Sequence, residues 1–300
     1  MLFTKTLMNS FTPLIPLTQF GADIYAKIEY ENPAASMKFR AIPPFLLQLS
    51  KDGLIKEGTN IAIRSAGSAA IAMAWAAARI SCTSEAVLPL TTPPQIVRLL
   101  KWLGTTIHQV PAPIATQMMK DLGEKEKTFV LAQVREDRLI DYYRPVAKEI
   151  LQQLPDVAAI TVGIGTGLSS MGMARELKEH FPQPMVYGCE PEEAPIASGG
   201  QWNPHNIPGL APPIPQPLLD QKQLAGILTV PSTRAWERAQ QVSREMGILA
   251  GPSSGCTLDA ALQLRAKGMN GPIVALFACS IGEYLDTENL AVKKAKEAAL

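Results

Sequence analysis

The sequence predicts an α/β fold: two lobes with parallel-rich, twisted sheets flanked by helices. Three observations carry that expectation. Short apolar runs of strand length alternate with longer segments of helical period along most of the chain. No internal repeat or low-complexity stretch breaks the alternation. The charged stretch 135–141 marks a crossing between lobes, with a smaller lobe over 39–139 and a larger one made of 1–38 plus 140–300. At 300 residues and 47% hydrophobic content, the chain has the apolar surface to fill such a core.

The elements follow in order. A strand over 24–30 alternates apolar and polar residues and ends at Asn32-Pro33, a turn signal. Small residues come next, then Lys38 at the head of an apolar helical run over 39–50. Strands are expected over 60–64, 85–90, 106–110 and 128–131, with helices over 68–80, 94–103 and 115–122 between them. Past the crossing, strands over 158–162, 185–189, 227–230 and 273–277 are interleaved with helices over 144–151, 168–180, 232–246 and 257–266. The segment 191–217 stands apart: it is rich in proline, glycine and asparagine and has no helical period. A loop that long in a compact chain is functional or disordered. The run Lys293-Lys294-Ala295-Lys296-Glu297 reads as a solvated C-terminal helix face.

Composition narrows the function classes. A net charge of +1 gives no electrostatic case for nucleic acid or an acidic membrane surface. The longest apolar stretch, 66–78, is too short to span a bilayer, and the first residues lack an export core. A cytoplasmic protein is expected. Cys82, Cys189, Cys256 and Cys279 are widely spaced and read as free thiols. His108, His180 and His205 are equally scattered, so no metal site is expected.

Four stretches carry chemistry. Lys38 follows a turn and precedes packed apolar residues; a lysine desolvated there has a lowered pKa, which suits Schiff-base formation. Gly163-Ile164-Gly165-Thr166-Gly167-Leu168-Ser169 leaves a strand and opens a helix, the arrangement that cradles phosphate. A dinucleotide fingerprint would need glycine where Leu168 stands, although Glu190 at the end of the next strand could serve a ribose. Gly251-Pro252-Ser253-Ser254-Gly255 has the form of a hydrolase nucleophile elbow. No histidine follows His205, however, so the hydrolase order of catalytic residues fails. A serine there can instead offer a neutral hydrogen bond to a ring nitrogen. Ser65-Ala66-Gly67-Ser68-Ala69-Ala70 is a second small-residue turn, suited to holding a carboxylate or capping a helix.

In this order and spacing the motifs resemble the cysteine synthase and cystathionine β-synthase group of pyridoxal-phosphate enzymes, over nearly the whole chain. The resemblance rests on Thr12-Pro13-Leu14, the 32–40 segment, Gly165-Thr166-Gly167-Leu168-Ser169, Glu190-Pro191, Ser198-Gly199-Gly200, His205-Asn206-Ile207-Pro208-Gly209, the 247–255 segment and Gly282-Glu283-Tyr284-Leu285. It implies fold type II, similar to the tryptophan synthase β chain, with pyridoxal 5'-phosphate in the cleft between the lobes. It implies Lys38 as the Schiff-base lysine and catalytic base. Ser68, Gly165, Thr166, Gly167, Ser169 and Ser253 would bind the cofactor, with Ser253 facing the pyridine nitrogen. Ser65, Gly67, Ser68 and Gln133 would bind an amino-acid substrate. The implied reaction is β-replacement on an O-activated serine through an aminoacrylate, in a homodimer.

The departures bear on substrate. The family's substrate loop reads Thr-Ser-Gly-Asn-Thr-Gly; here Ala66 and Ala69 replace hydroxyl residues and Ser68 replaces asparagine. Losing a charge-assisted hydrogen bond costs about 1.5–3 kcal/mol. An unusual substrate is therefore expected, with a non-catalytic binding or regulatory protein and a β-eliminating enzyme as the alternatives. Arg135 or Arg138 is a candidate carboxylate clamp.

Overall fold

The computed structural model describes residues 11–65, 67–183 and 185–285. Ala66 of the small-residue turn and the expected helix face at 293–297 lie outside them. Two sheets organise the described residues. The larger has six strands in the order β1 (Leu14–Pro16), β2 (Ile24–Ile28), β10 (Ile273–Phe277), β7 (Ala159–Gly163), β8 (Val186–Pro191) and β9 (Gly226–Val230). The smaller has four, in the order β5 (Thr106–Gln109), β4 (Thr83–Leu88), β3 (Asn60–Arg64) and β6 (Thr128–Leu131). β1 runs antiparallel to β2; every other recorded pairing between these strands is parallel.

The central strands are apolar throughout because helices cover both faces of a parallel sheet. All five residues of β10 are buried, as are Ile61, Ala62 and Ile63 of β3. Eight α-helices are described: α1 (Ile42–Lys51), α2 (Ser68–Arg79), α3 (Pro94–Trp102), α4 (Ala112–Glu124), α5 (Arg144–Gln153), α6 (Leu168–Lys178), α7 (Ser232–Met246) and α8 (Pro252–Ala266). The largest apolar cluster joins Ile63 and Met73 from the smaller sheet's side to Ile140, Tyr143, Ile160, Val162 and Met171. A second cluster, including Ile28, Ala159, Leu258 and Phe277, covers the other face of the larger sheet. No described helix is long and apolar enough to cross a membrane.

Three of the structure's departures from the expected elements have a clear local reason. Helix α1 starts at Ile42, not at 39; Met37–Arg40 form a 3-10 turn instead. Ser36 is extended and bridges Cys279, and Met37 N–H donates to Ala278 O at 2.9 Å, so this backbone is tied to the strand side. Helix α8 begins at Pro252 rather than 257, because proline is preorganised for a first helical position. Strand β1 is three residues long, too short for alternation to reveal it.

Parallel order brings the carboxyl ends of β7, β10 and β2 to one edge of the larger sheet, the usual position for a site in an open α/β sheet. The Gly163–Ser169 turn, Cys279 and Lys38 all lie just beyond those ends.

Candidate active site

Lys38 lies in the 3-10 turn after β2 and is half-buried. It lines a cleft with about 630 Å³ of space between protein atoms, part of it open to solvent. Desolvation alone lowers its ammonium to about 8. At pH 7 that raises the neutral amine from about one chain in 3,000 to about one in ten. The turn carrying it is held from behind. Arg40 Nε and Nη2 donate to the two Glu29 oxygens at 2.8 and 3.0 Å, and Arg40 also pairs with Glu149. Lys27 Nζ donates to Glu149 Oε2 at 2.9 Å and to Thr12 O at 2.8 Å. Asn32 Nδ2 donates to Glu29 O at 2.7 Å. Asn32 and Arg40 of the 32–40 segment thus anchor the turn; they do not face the cleft.

The opposite wall is the turn from β7 into α6. Gly165, Thr166 and Ser169 line the cleft. Gly167 sits in the left-handed region at φ 84° and forms the helix N-cap, off the lining. The first turn of α6 has N–H groups without intrahelical partners, aimed where an anion is stabilised. A Cβ on Gly165 would lie 2.4 Å from Gly209 O, so only glycine lets the 191–217 segment close over this turn. That segment is latched there by Ala211 N–H to Ile164 O at 2.9 Å and Gln216 Nε2 to Gly165 O at 2.6 Å. The proline-rich loop is therefore ordered in the structure and packed on the site. Glu190 is wholly buried and accepts hydrogen bonds from Ala197 and Ser198 N–H at 2.7 and 3.0 Å. Its oxygens hold this loop, which removes the ribose role that a dinucleotide site requires.

Ser68 and Ser253 complete the set of anticipated residues on the lining. Ser253 Oγ lies 3.3 Å from Cys279 Sγ. Neither a carboxylate nor a histidine lines the cleft, so Ser253 has no triad partner there. Ser65, Gly67 and Gln133 are not on the lining. Ser65 Oγ accepts from Gly67 N–H at 3.3 Å, and Gln133 lies in the turn after β6. β3 and β6 are paired in parallel with Ile63 beside Leu131, so both turns leave the same end of the smaller sheet. The clamp expected from Arg138 does not form: its guanidinium binds Glu136 at 2.6 and 2.8 Å and stacks 4.9 Å from the Phe45 ring centroid. Arg135 is exposed and off the lining.

Among the hydroxyl and thiol groups on the lining, sequence reasoning assigned no site role to five: Ser36, Tyr143, Thr257, Cys279 and Tyr284. Ser36 Oγ is buried and has no hydrogen-bond partner. Burial pushes the Cys279 thiol up to about 12 and raises the Tyr143 phenol. All four cysteines are free, as expected. Ser36 stands two residues from Lys38 and Tyr284 in the closing motif, positions that mark both as neighbours of the site. Tyr143 and Cys279 carry no local signal.

A model of the family described as pyridoxal-phosphate dependent enzyme matches residues 5–279. The chain belongs to that family. It is 30% identical over 288 residues to a cysteine synthase of Staphylococcus aureus strain Mu50, covering 92% of this chain and 93% of that one. Among solved structures, O-ureido-L-serine synthase superposes with a TM-score of 0.87 at 26% identity, covering 93% of this chain and 92% of the other. The O-acetylserine dependent cystathionine beta-synthase of Helicobacter pylori gives a TM-score of 0.85 at 25% identity, covering 93% and 96%. The fold is fold type II of the pyridoxal-phosphate enzymes, and the protein is an enzyme of the cysteine synthase type.

The cleft fits that cofactor on its own terms. A desolvated amine stands in it, a glycine-built helix N-terminus faces it, and the buried Ser36 hydroxyl is left without a partner on its lining. The ring-nitrogen candidates on the lining are hydroxyls and a neutral thiol, with no acid to protonate a pyridine.

Proposed function

We propose that the enzyme catalyses β-replacement on an O-activated serine-type amino acid, with Lys38 as the lysine that carries the cofactor. The observation supporting this most directly is the desolvated Lys38 amine in a cleft that also presents the Gly165–Thr166 turn and Ser253. Relatives that make cysteine, cystathionine and O-ureido-L-serine support the reaction class. Pyridoxal phosphate, when bound, supplies an electron sink that acidifies the α-proton and lets a β-substituent leave.

The chain's residues do the rest. Lys38 would take the α-proton as a general base, a role its lowered pKa suits near neutrality. Gly165, Thr166, Gly167 and Ser169 would hold the phosphate through backbone N–H groups and hydroxyls. Ser253, on the lining, would offer the pyridine nitrogen a neutral hydrogen bond, which suits β-chemistry. The turn holding Ser65, Gly67 and Ser68, with Gln133 from the neighbouring strand end, takes the substrate carboxylate. Two lobes, 39–139 and 1–38 plus 140–300, flank the cleft, and the enzyme works as a cytoplasmic homodimer. Light scattering of the purified protein at twice the 32.4 kDa chain mass supports the dimer; a single-chain mass refutes it.

Borohydride reduction followed by peptide mass mapping tests the linkage. Wild type should carry a pyridoxyl adduct on the peptide containing Lys38, and Lys38→Ala should carry none and lose its visible band. An adduct on another lysine overturns the assignment. Incubating wild type with O-acetylserine and a panel of thiols and amines separates the outcomes: a new amino acid supports replacement, and pyruvate alone indicates elimination.

A further inference from the structure

Beyond the strand β10, the chain turns at Ala278–Ser280 and enters a second 3-10 turn, Ile281–Glu283. That turn is fixed to the larger sheet's side by Ile281 N–H to Leu249 O at 3.1 Å and by the bridge between Ser280 and Ala250. Ser68 opens α2, which follows β3 of the smaller sheet. The two meet across the cleft: Ser68 Oγ donates to Glu283 Oε2 at 2.9 Å, between residues 215 apart in sequence. Ser68 and the adjacent Tyr284 line the cleft, while Glu283 stands behind them. Its second oxygen, Oε1, is buried without a partner.

This geometry has a chemical consequence. A serine hydroxyl has one hydrogen and two lone pairs. When Glu283 is ionised, the Ser68 hydrogen is committed to it and the cleft meets an acceptor. When Glu283 is protonated, its own O–H can donate to Ser68 Oγ; with the Tyr284 hydroxyl, which also hydrogen-bonds Ser68, donating to the same oxygen, the serine hydrogen can turn into the cleft. We propose that Glu283 is a positioning residue whose protonation selects whether Ser68 offers a donor or an acceptor to the molecules bound in the cleft. Each class of bound group, a phenolate or carboxylate on one hand and a hydroxyl or ammonium on the other, then meets a complementary Ser68 in only one state.

The switch lies in a usable range. Burial raises the Glu283 carboxyl to about 7, against the smaller opposing effect of its Ser68 and Tyr284 hydrogen bonds. The titratable groups facing it are Tyr284, beside it in the chain, and Cys279 at the end of β10. Burial raises both, so both are neutral at pH 7, and no cation is among the groups that shift Glu283.

The inference rests on the reading that the cleft holds pyridoxal phosphate on Lys38, and the test separates the two. The readout is the visible absorbance of the holoenzyme, without substrate, titrated from about pH 5.5 to 8.5 around the carboxyl near 7. Wild type should show a band change with a midpoint near 7. Glu283→Gln, which keeps the shape and cannot ionise, should keep the band and lose the midpoint, or displace it by at least about one unit. Ser68→Ala, compatible with the alanine-rich α2, should lose it too and decides the matter if Glu283→Gln fails to bind cofactor. A wild type with no midpoint, or a Glu283→Gln protein that titrates like wild type, overturns the inference while a pyridoxyl-Lys38 adduct leaves the cofactor reading intact. Absence of that adduct in wild type overturns the cofactor reading itself.

Discussion

At the scale of single residues, the environment sets what each group can do. Lys38 is one lysine among several, and its sequence neighbours show only that it follows a turn. Enclosure in the cleft is what lowers its pKa and gives the amine its reactivity. Glu283 shows the same physics with the opposite sign, since burial disfavours its charged form. Its folded pKa near 7 lies above the ordinary 4.5, so between those values the folded chain holds a proton the unfolded chain has released. The resulting stability is complete below 4.5 and is lost as pH rises through 7. In the cofactor-free protein this amounts to about 3 kcal/mol, each pKa unit being about 1.4 kcal/mol. Urea unfolding across this range should show Glu283→Gln losing less stability with rising pH than wild type; parallel profiles contradict it.

At the scale of elements, two glycines decide how closely backbones approach. Helix α8 is buried on every side along its first ten residues, so its pattern lacks an amphipathic face. Gly255 lets it press against α7: a Cβ there would sit 1.9 Å from Ala235 O and 2.8 Å from Ala239 N. Both are backbone atoms, and the helices must separate to admit a methyl group. Gly255→Ala should cost at least about 3 kcal/mol, the upper part of the overpacking range, read as a lowered urea midpoint. Gly165→Ala meets Gly209 O instead and should lift the 191–217 segment from the phosphate turn. Its expected signature is at least about tenfold weaker cofactor binding, with a smaller loss of global stability. Equal affinity would show that the turn tolerates the displaced loop.

At the scale of the molecule, the site depends on contacts between distant parts of the chain. Lys27, Glu29, Arg40 and Glu149 form a buried charged network that ties the N-terminal segment, β2, the Lys38 turn and α5 together. Removing one partner leaves the others charged and unmatched in the core, which costs about 3–5 kcal/mol. Arg40→Met should therefore lower the unfolding midpoint strongly, and cofactor should partly restore it by binding the folded state. A variant as stable as wild type would show that the network is not what holds the Lys38 turn.

The sequence by itself determined the fold class and the order of nearly all elements, because side-chain periodicity and turn chemistry are local properties. It also placed Lys38, Gly165, Thr166, Ser169, Ser68 and Ser253 at element ends, where motif and geometry coincide. Only the tertiary structure decided which polar groups meet. Ser68 with Glu283, Ser253 with Cys279, and Lys27 with Glu149 are joined by strand order and packing across more than twenty to more than two hundred residues. No local pattern encodes such distances. The burial that leaves one carboxyl half-protonated near pH 7 and frees about one amine in ten there arises only when two sheets close around the same cleft.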